Sequence, residues 1–177
     1  MTYIHKSNSP VGQLTMASDG QSITGLWLEG QKYYAATLAA DVEEKSLPVF
    51  EQALKWLDIY FTGKEPDLKL PLAPAGSEFR QMVWDILLDI PYGGIITYGE
   101  IAKTLASRQN DKGVSAQAVG GAVGHNPISI IIPCHRVVGT GGSLTGYAGG
   151  IDKKISLLKL EGVNMDNLFV PKKGTAL

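Results

Sequence analysis

Ile128-Ser-Ile-Ile-Ile-Pro-Cys-His-Arg136 is a short β-branched run that ends in proline and delivers the chain's one cysteine. Its composition predicts a buried strand or extended segment over residues 128–133. A thiol with an unperturbed pKa near 8.5 is only about 3% thiolate at neutral pH, so it needs a base or a cation beside it to react. His135 and Arg136 supply one of each. On composition alone, a lone cysteine after an apolar run is more often a small buried hydrophobe. Burying an imidazole and a guanidinium beside it is costly without a purpose. Neighbouring strand residues point to opposite faces, so a direct Cys134–His135 contact requires a turn or a bridging water.

Downstream, glycines are dense: 139, 141, 142, 146, 149 and 150. They lack the G-x-G-x-x-G register and the Gly-Lys-Ser/Thr of nucleotide loops, and read as a loop over a pocket with Tyr147 as an apolar wall. Helical periodicity resumes over 151–161, with Gly162 as the stop signal. Glu161 stands in the last turn, where a carboxylate opposes the helix dipole, so it is either solvated or paired with a cation such as His135.

Upstream, Ser77 reads as the N-cap of a helix with Phe79, Met82, Val83, Ile86 and Leu87 on its apolar face. Thr97-Tyr-Gly-Glu100 fits a capping box. A polar loop, 107–113, precedes a second short helix from Ser115 to Gly124, giving a long-linked helix-turn-helix. Three glycines in that helix each cost roughly 1 kcal/mol against alanine. They suit either close helix packing or a slim face that approaches a bulky partner such as a DNA groove.

The first part of the chain reads as strands at 3–6, 12–17 and 23–28, then an alanine-rich helix over 31–44 and a second helix opened by Pro48. Three prolines between Glu65 and Gly76 exclude a regular helix and mark a boundary. The expected class is α+β. A small antiparallel sheet with helices occupies 1–72, a mostly helical, winged-helix-like domain 73–165, and a tail 166–177.

Composition narrows the function. With 177 residues, 44% hydrophobic and 19% charged, the chain can bury a core and is not disordered. No apolar stretch approaches a membrane span and no secretory signal is visible. One cysteine makes no intramolecular disulfide, all-cysteine zinc site or iron–sulfur cluster, so a reduced, cytoplasmic setting is expected. Net charge is −1 overall, yet residues 1–76 carry six lysines against nine acidic residues and residues 77–177 ten basic against eight acidic. This mild asymmetry points to two parts with different partners.

Asn126-Pro-Ile-Ser-Ile-Ile-Ile-Pro-Cys-His-Arg-Val-Val138, Gly146-Tyr-Ala-Gly-Gly150 and Leu157-Leu-Lys-Leu-Glu-Gly162 together resemble the O6-alkylguanine-DNA alkyltransferases. The match runs from Phe79 to Gly162 and is most specific at Pro133–Val137. The resemblance implies suicide repair. Cys134 takes the alkyl group from O6 of a flipped guanine, with O4 of thymine a second candidate, and keeps it. His135 acts as base through a water, polarised by Glu161. Asn126 holds the local geometry, and Tyr98 helps rotate the nucleotide and deliver a proton to the leaving guanine.

By the same resemblance, the carbonyls of Cys134 and Val137 receive the guanine amino group, with Tyr147, Ala148 and Gly149 around the base. Gln117, Ala118 and Gly120 lie on the groove helix, and Gly99 and Thr140 meet phosphates. No cofactor and no metal are implied. The partner is double-stranded DNA carrying O6-alkylguanine, and the protein is expected to be a monomer.

Two departures from the family pattern stand out. Gln117 replaces an arginine that enters the base stack, and Ala148 a serine near O6. Three other classes compete with alkyl transfer. A non-reacting clamp on alkylated DNA would lack the cysteine. An alkylation-sensing regulator would need a further domain. A cysteine hydrolase would need a water-activating second step.

Overall fold

The computed structural model describes residues 1–172 as two compact units. The first comprises Met1–Ala75 together with Pro127–Ile131, and the second Gly76–Asn126 with Ile132 onward. The division thus falls at Ala75/Gly76 rather than 72. It is also discontinuous, because five residues just before the cysteine belong to the first unit.

In the first unit, strands β1 (Thr2–Ser9), β2 (Gly12–Ser18), β3 (Ile23–Leu28) and β4 (Val42–Glu44) form one sheet in the order β3-β2-β1-β4. β1–β2 and β2–β3 are antiparallel, and the short exposed β4 adds parallel to β1, so the sheet is mixed. Leu14, Met16, Ile23, Leu26 and Leu28 are buried with Phe50, Ala53 and Leu57 of helix α1 (Pro48–Phe61). Proline is tolerated in the first turn of α1, where no intrahelical N–H bond is lost.

The alanine-rich stretch 31–44 is not the helix its composition suggests. Tyr33 and Ala35 adopt positive φ (58° and 54°), and the chain forms successive tight turns. Isolated helix propensity is weak without an apolar face to bury, and these alanines and tyrosines are mostly exposed. The proline-rich segment is likewise no free linker: Ile23 N donates to Pro71 O at 2.8 Å and Ala73 N to Ile23 O at 2.9 Å.

Segment 127–131 closes the other edge of β3. Leu26 N donates to Pro127 O (2.8 Å) and Ser129 N to Leu26 O (2.9 Å). Buried Gln31 accepts from Leu28 N at 2.8 Å and from the Ser129 hydroxyl at 3.3 Å.

The second unit contains α2 (Glu78–Leu88), β5 (Ile96–Thr97), α3 (Tyr98–Arg108), α4 (Ala116–Gly124), β6 (Val137–Val138) and α5 (Ile151–Leu160). Ser77 caps α2 through Arg80 N, Thr97 and Glu100 form the full capping box of α3, and Ser115 caps α4. The capping signals were readable because each satisfies orphan N–H groups within one turn. Buried Trp84 donates from Nε1 to Ala122 O at 2.9 Å, tying α2 to α4.

β5 and β6 pair in parallel, Ile96 with Val137 and Thr97 with Val138, so they are not a hairpin. This pairing sets the first residue of α3 beside the segment that follows the cysteine.

Residues beyond 165 are not a loose tail as far as the structure describes them. Met165 and Leu168 pack on Val138, Leu144 and Leu158. Leu144 N donates to Phe169 O at 2.8 Å and Phe169 N to Gly142 O at 3.1 Å. The remainder of the expected tail, 173–177, lies outside the described residues.

Candidate active site

The run 128–133 is not a strand. Ile128 makes one isolated bridge to Leu26, and the chain then makes two three-residue turns. Ile131 N donates to Ser129 O at 2.8 Å around Ile130, whose φ is +70°. A β-branched residue is strained there, and tertiary burial (1% exposed) must hold it. Cys134 N then donates to Ile132 O at 2.8 Å around Pro133, whose φ and ψ are −82° and 65°. Cys134–Arg136 follow as one turn of 3-10 helix, all three buried. The turn takes Cys134 and His135 out of strand alternation.

Asn126 braces the turn from the end of α4. Its Nδ2 donates to Ile132 O at 2.8 Å, and its side chain also hydrogen-bonds the cysteine. Burial pushes the Cys134 thiol upward, while Asn126 and the Lys154 ammonium pull it down less strongly. The net rise keeps the resting group a thiol, so reaction at neutral pH needs a base.

His135, fully buried, bonds through Nε2 to Glu161 Oε2. A carboxylate can only accept, so Nε2 carries the proton and Nδ1 keeps its lone pair. Desolvation holds the imidazole below its ordinary value despite the carboxylate, which makes it neutral at pH 7.

Glu161 caps the C-terminus of α5, where the dipole disfavours it, and three donors compensate. Besides His135, Oε1 accepts from Arg136 Nε at 2.7 Å and from Gly93 N at 3.0 Å. Arg136 also donates to Ile90 O at 2.7 Å and lies over the Tyr92 ring. Sequence reasoning assigned Gly93 nothing and Arg136 only a place beside the thiol. The sequence signal was the Pro91-Tyr-Gly-Gly94 break, which holds Gly93 at φ +75° with its N–H aimed at the carboxylate.

Tyr98 opens α3 and is buried. Its hydroxyl donates to Thr145 O at 3.1 Å, and burial raises its phenol well above the ordinary value, so it keeps its proton. Tyr147 stands edge-on to the His135 ring at 6.5 Å, and its buried hydroxyl meets no hydrogen-bond partner among the described residues. Gly149 leaves room for that ring, since a Cβ there would fall 2.8 Å from it. Ala148 is half-buried beside them.

The two carbonyls expected to meet a guanine amino group are each already engaged once. Cys134 O accepts from Val137 N, and Val137 O from Lys154 Nζ at 2.5 Å. A carbonyl has a second lone pair free for another donor.

Gln117 and Ala118 are exposed at the start of α4, Gly99 is exposed at the start of α3, and Thr140 is exposed in a 3-10 turn. Gly120 departs from expectation: it is on the buried face of α4 with Val119, Ala122 and Val123. At about 100° per residue, position 120 falls roughly 160° from Ala118, whereas position 121 returns to the face of 117 and 118. Gly121 is the exposed glycine, and a Cβ there would meet nothing.

Residues 78–163 match the family model for the DNA-binding domain of 6-O-methylguanine DNA methyltransferase, and residues 2–74 match that for its ribonuclease-like domain. The chain belongs to the 6-O-methylguanine DNA methyltransferase family. Among curated members of this methyltransferase family, the Haemophilus influenzae methylated-DNA–protein-cysteine methyltransferase is 45% identical over 88% of this chain and 83% of its own length. The Mycobacterium leprae protein of the same name is 40% identical over 91% and 93%. A crystal structure of a Mycobacterium tuberculosis methyltransferase of the family, bound to DNA, superposes with a TM-score of 0.77 at 42% identity, covering 90% of this chain and 92% of that one.

Among the described residues no cluster of metal-ligating side chains occurs, and no helix is long and apolar enough to cross a membrane.

Proposed function

We propose that this protein repairs alkylated DNA by moving an alkyl group from O6 of guanine onto Cys134, once per molecule. The observation that carries this reading is the buried cysteine on a one-turn 3-10 helix whose next residue is a neutral imidazole locked to a carboxylate. A base reached inside a duplex must be extruded, at a cost of a few kcal/mol. The similarity to a DNA-bound family structure supports DNA as the partner, and the exposed Gln117, Ala118, Gly99 and Thr140 supply a surface for it.

In this reaction His135 Nδ1 takes the thiol proton, through a water. The sulfur–carbon bond forms as the O6–carbon bond breaks. Guanine takes up a proton as it leaves, with Tyr98 as the donor placed to help, so the products are guanine and S-alkylcysteine. Glu161 stabilises the imidazolium that forms transiently. No turnover follows, because the S-alkyl thioether formed on Cys134 is stable to hydrolysis. A monomer suffices for this chemistry, and a reduced, cytoplasmic setting suits its free thiol.

The test is intact mass after incubation with a duplex carrying O6-methylguanine. One methyl increment, located on Cys134 and absent in Cys134→Ser, is the expected result. An unmodified wild-type chain overturns the proposal.

A further inference from the structure

Lys154 is 0% exposed, although lysine is among the residues least often fully buried. It lies in α5 next to half-buried Lys153, one turn after the glycine-rich loop. Among the described residues no carboxylate pairs with it. Its ammonium donates to two backbone carbonyls, Val137 O at 2.5 Å and Thr145 O at 2.9 Å. Val137 is the residue directly after the cysteine turn. Thr145 O is also the acceptor of the Tyr98 hydroxyl at 3.1 Å. One cation therefore joins the segment carrying the nucleophile to the atom on which the tyrosine proton rests.

Burying an unpaired ammonium costs several kcal/mol unless geometry demands it. The demand is visible in what the two carbonyls do. With the functional reading above, Val137 O faces the guanine amino group and Tyr98 must leave Thr145 O to reach the base. If Tyr98 were the sole donor to Thr145 O, its departure would strand that carbonyl.

We propose that Lys154 is a positioning residue for alkyl transfer: it holds Val137 O and Thr145 O in fixed relation and keeps Thr145 O satisfied when the Tyr98 hydroxyl turns to the flipped base. It touches neither the reacting carbon nor O6. Its effect is on the maximal transfer rate and passes through Tyr98.

The test is a double-mutant cycle on single-turnover methyl transfer from an O6-methylguanine duplex, measured against DNA concentration. Lys154→Met keeps the apolar stem and removes the donor. A misplacement of reacting groups by about 1 Å costs on the order of 100-fold. The expected result is a loss of that order in the saturating rate constant, with the half-saturating DNA concentration unchanged. In a Tyr98→Phe background the same substitution costs no more than a few-fold.

A purely structural lysine would give losses that multiply across the cycle, and that result overturns the proposal. So does a Lys154→Met chain that reacts within twofold of wild type. Should Lys154→Met fail to fold, Lys154→Leu, which also removes the donor, goes through the same cycle with the same reading. If wild type itself gains no methyl, the functional reading falls and this proposal with it. If wild type reacts and the cycle is additive, the proposal falls alone.

Discussion

Glu161 receives the Nε2–H of His135 on one carboxylate oxygen and the Nε–H of Arg136 on the other, with all three side chains buried. The carboxylate is thus shared between the imidazole and a cation from the next residue. Arg136 keeps the pair from being an isolated buried charge, which is the arrangement that fails most severely when one partner is removed. Glu161→Gln removes the charge that stabilises a protonated His135. General acid–base contributions are typically about 100- to 10,000-fold. A fall in transfer rate within that range is expected, measured by single-turnover mass spectrometry. Arg136→Met should destabilise the fold by about 3–5 kcal/mol in denaturant unfolding, because it strands Glu161.

Acidification tests the neutral imidazole. The folded-state pKa of His135 is lowered from 6.5 by burial. Below 6.5 the unfolded chain takes up a proton that the folded chain refuses. Stability from this group is therefore complete above pH 6.5 and is lost as pH falls toward the folded value, at up to about 1.4 kcal/mol per pH unit. Unfolding free energies of wild type and His135→Gln between pH 7 and 5 should diverge in slope, wild type being the steeper. Parallel slopes would contradict a buried neutral histidine.

Lys154 has an alkaline counterpart. Burial lowers its pKa from 10.5 to about 8. Between those values the unfolded chain holds the proton and the folded chain has released it, so wild type gains stability as pH rises. Relative to Lys154→Met, wild type should gain about 2 kcal/mol between pH 8 and roughly pH 9.5. Cys134 and His135, the other titratable groups near this lysine, are present in both proteins, and their own titration largely cancels in the difference.

Gln117 is exposed in the first turn of α4. It fills space without adding charge. Gln117→Arg should tighten duplex binding and steepen its dependence on log salt by about one unit, the signature of one additional phosphate neutralised. A fluorescence titration at several salt concentrations reads both, and an unchanged slope would refute the assignment of this residue to the DNA face.

Gly142 sits at φ +93°, and a Cβ there would collide with the carbonyl oxygen of Asn167. Gly142→Ala should cost about 1–2 kcal/mol, since both the backbone region and the space exclude a side chain. Thermal unfolding checks it. A neutral substitution would mean that the 165–169 segment does not clasp the Gly139–Leu144 loop.

The sequence by itself determined the local devices: the caps of α2, α3 and α4, the proline start of α1, and the adjacency of Cys134 with an imidazole. Each of these depends on residues within one turn of one another, so composition and spacing suffice. It also carried the family resemblance through Pro133–Val137.

What only the tertiary structure decided were the choices that local propensity gets wrong. Residues 31–44 lack an apolar face to bury and became turns followed by the short edge strand β4. Residues 128–133, strongly β-prone, were bent through a positive-φ isoleucine because bonds from Leu26 hold the segment elsewhere. The partners of Arg136 and the burial of Lys154 were not legible, since nothing in a helix or turn reveals that its polar partners come from distant segments. A buried charge is specified by carbonyls and carboxylates brought together in three dimensions, and Ile90, Thr145 and Glu161 meet those cations only once the chain has folded.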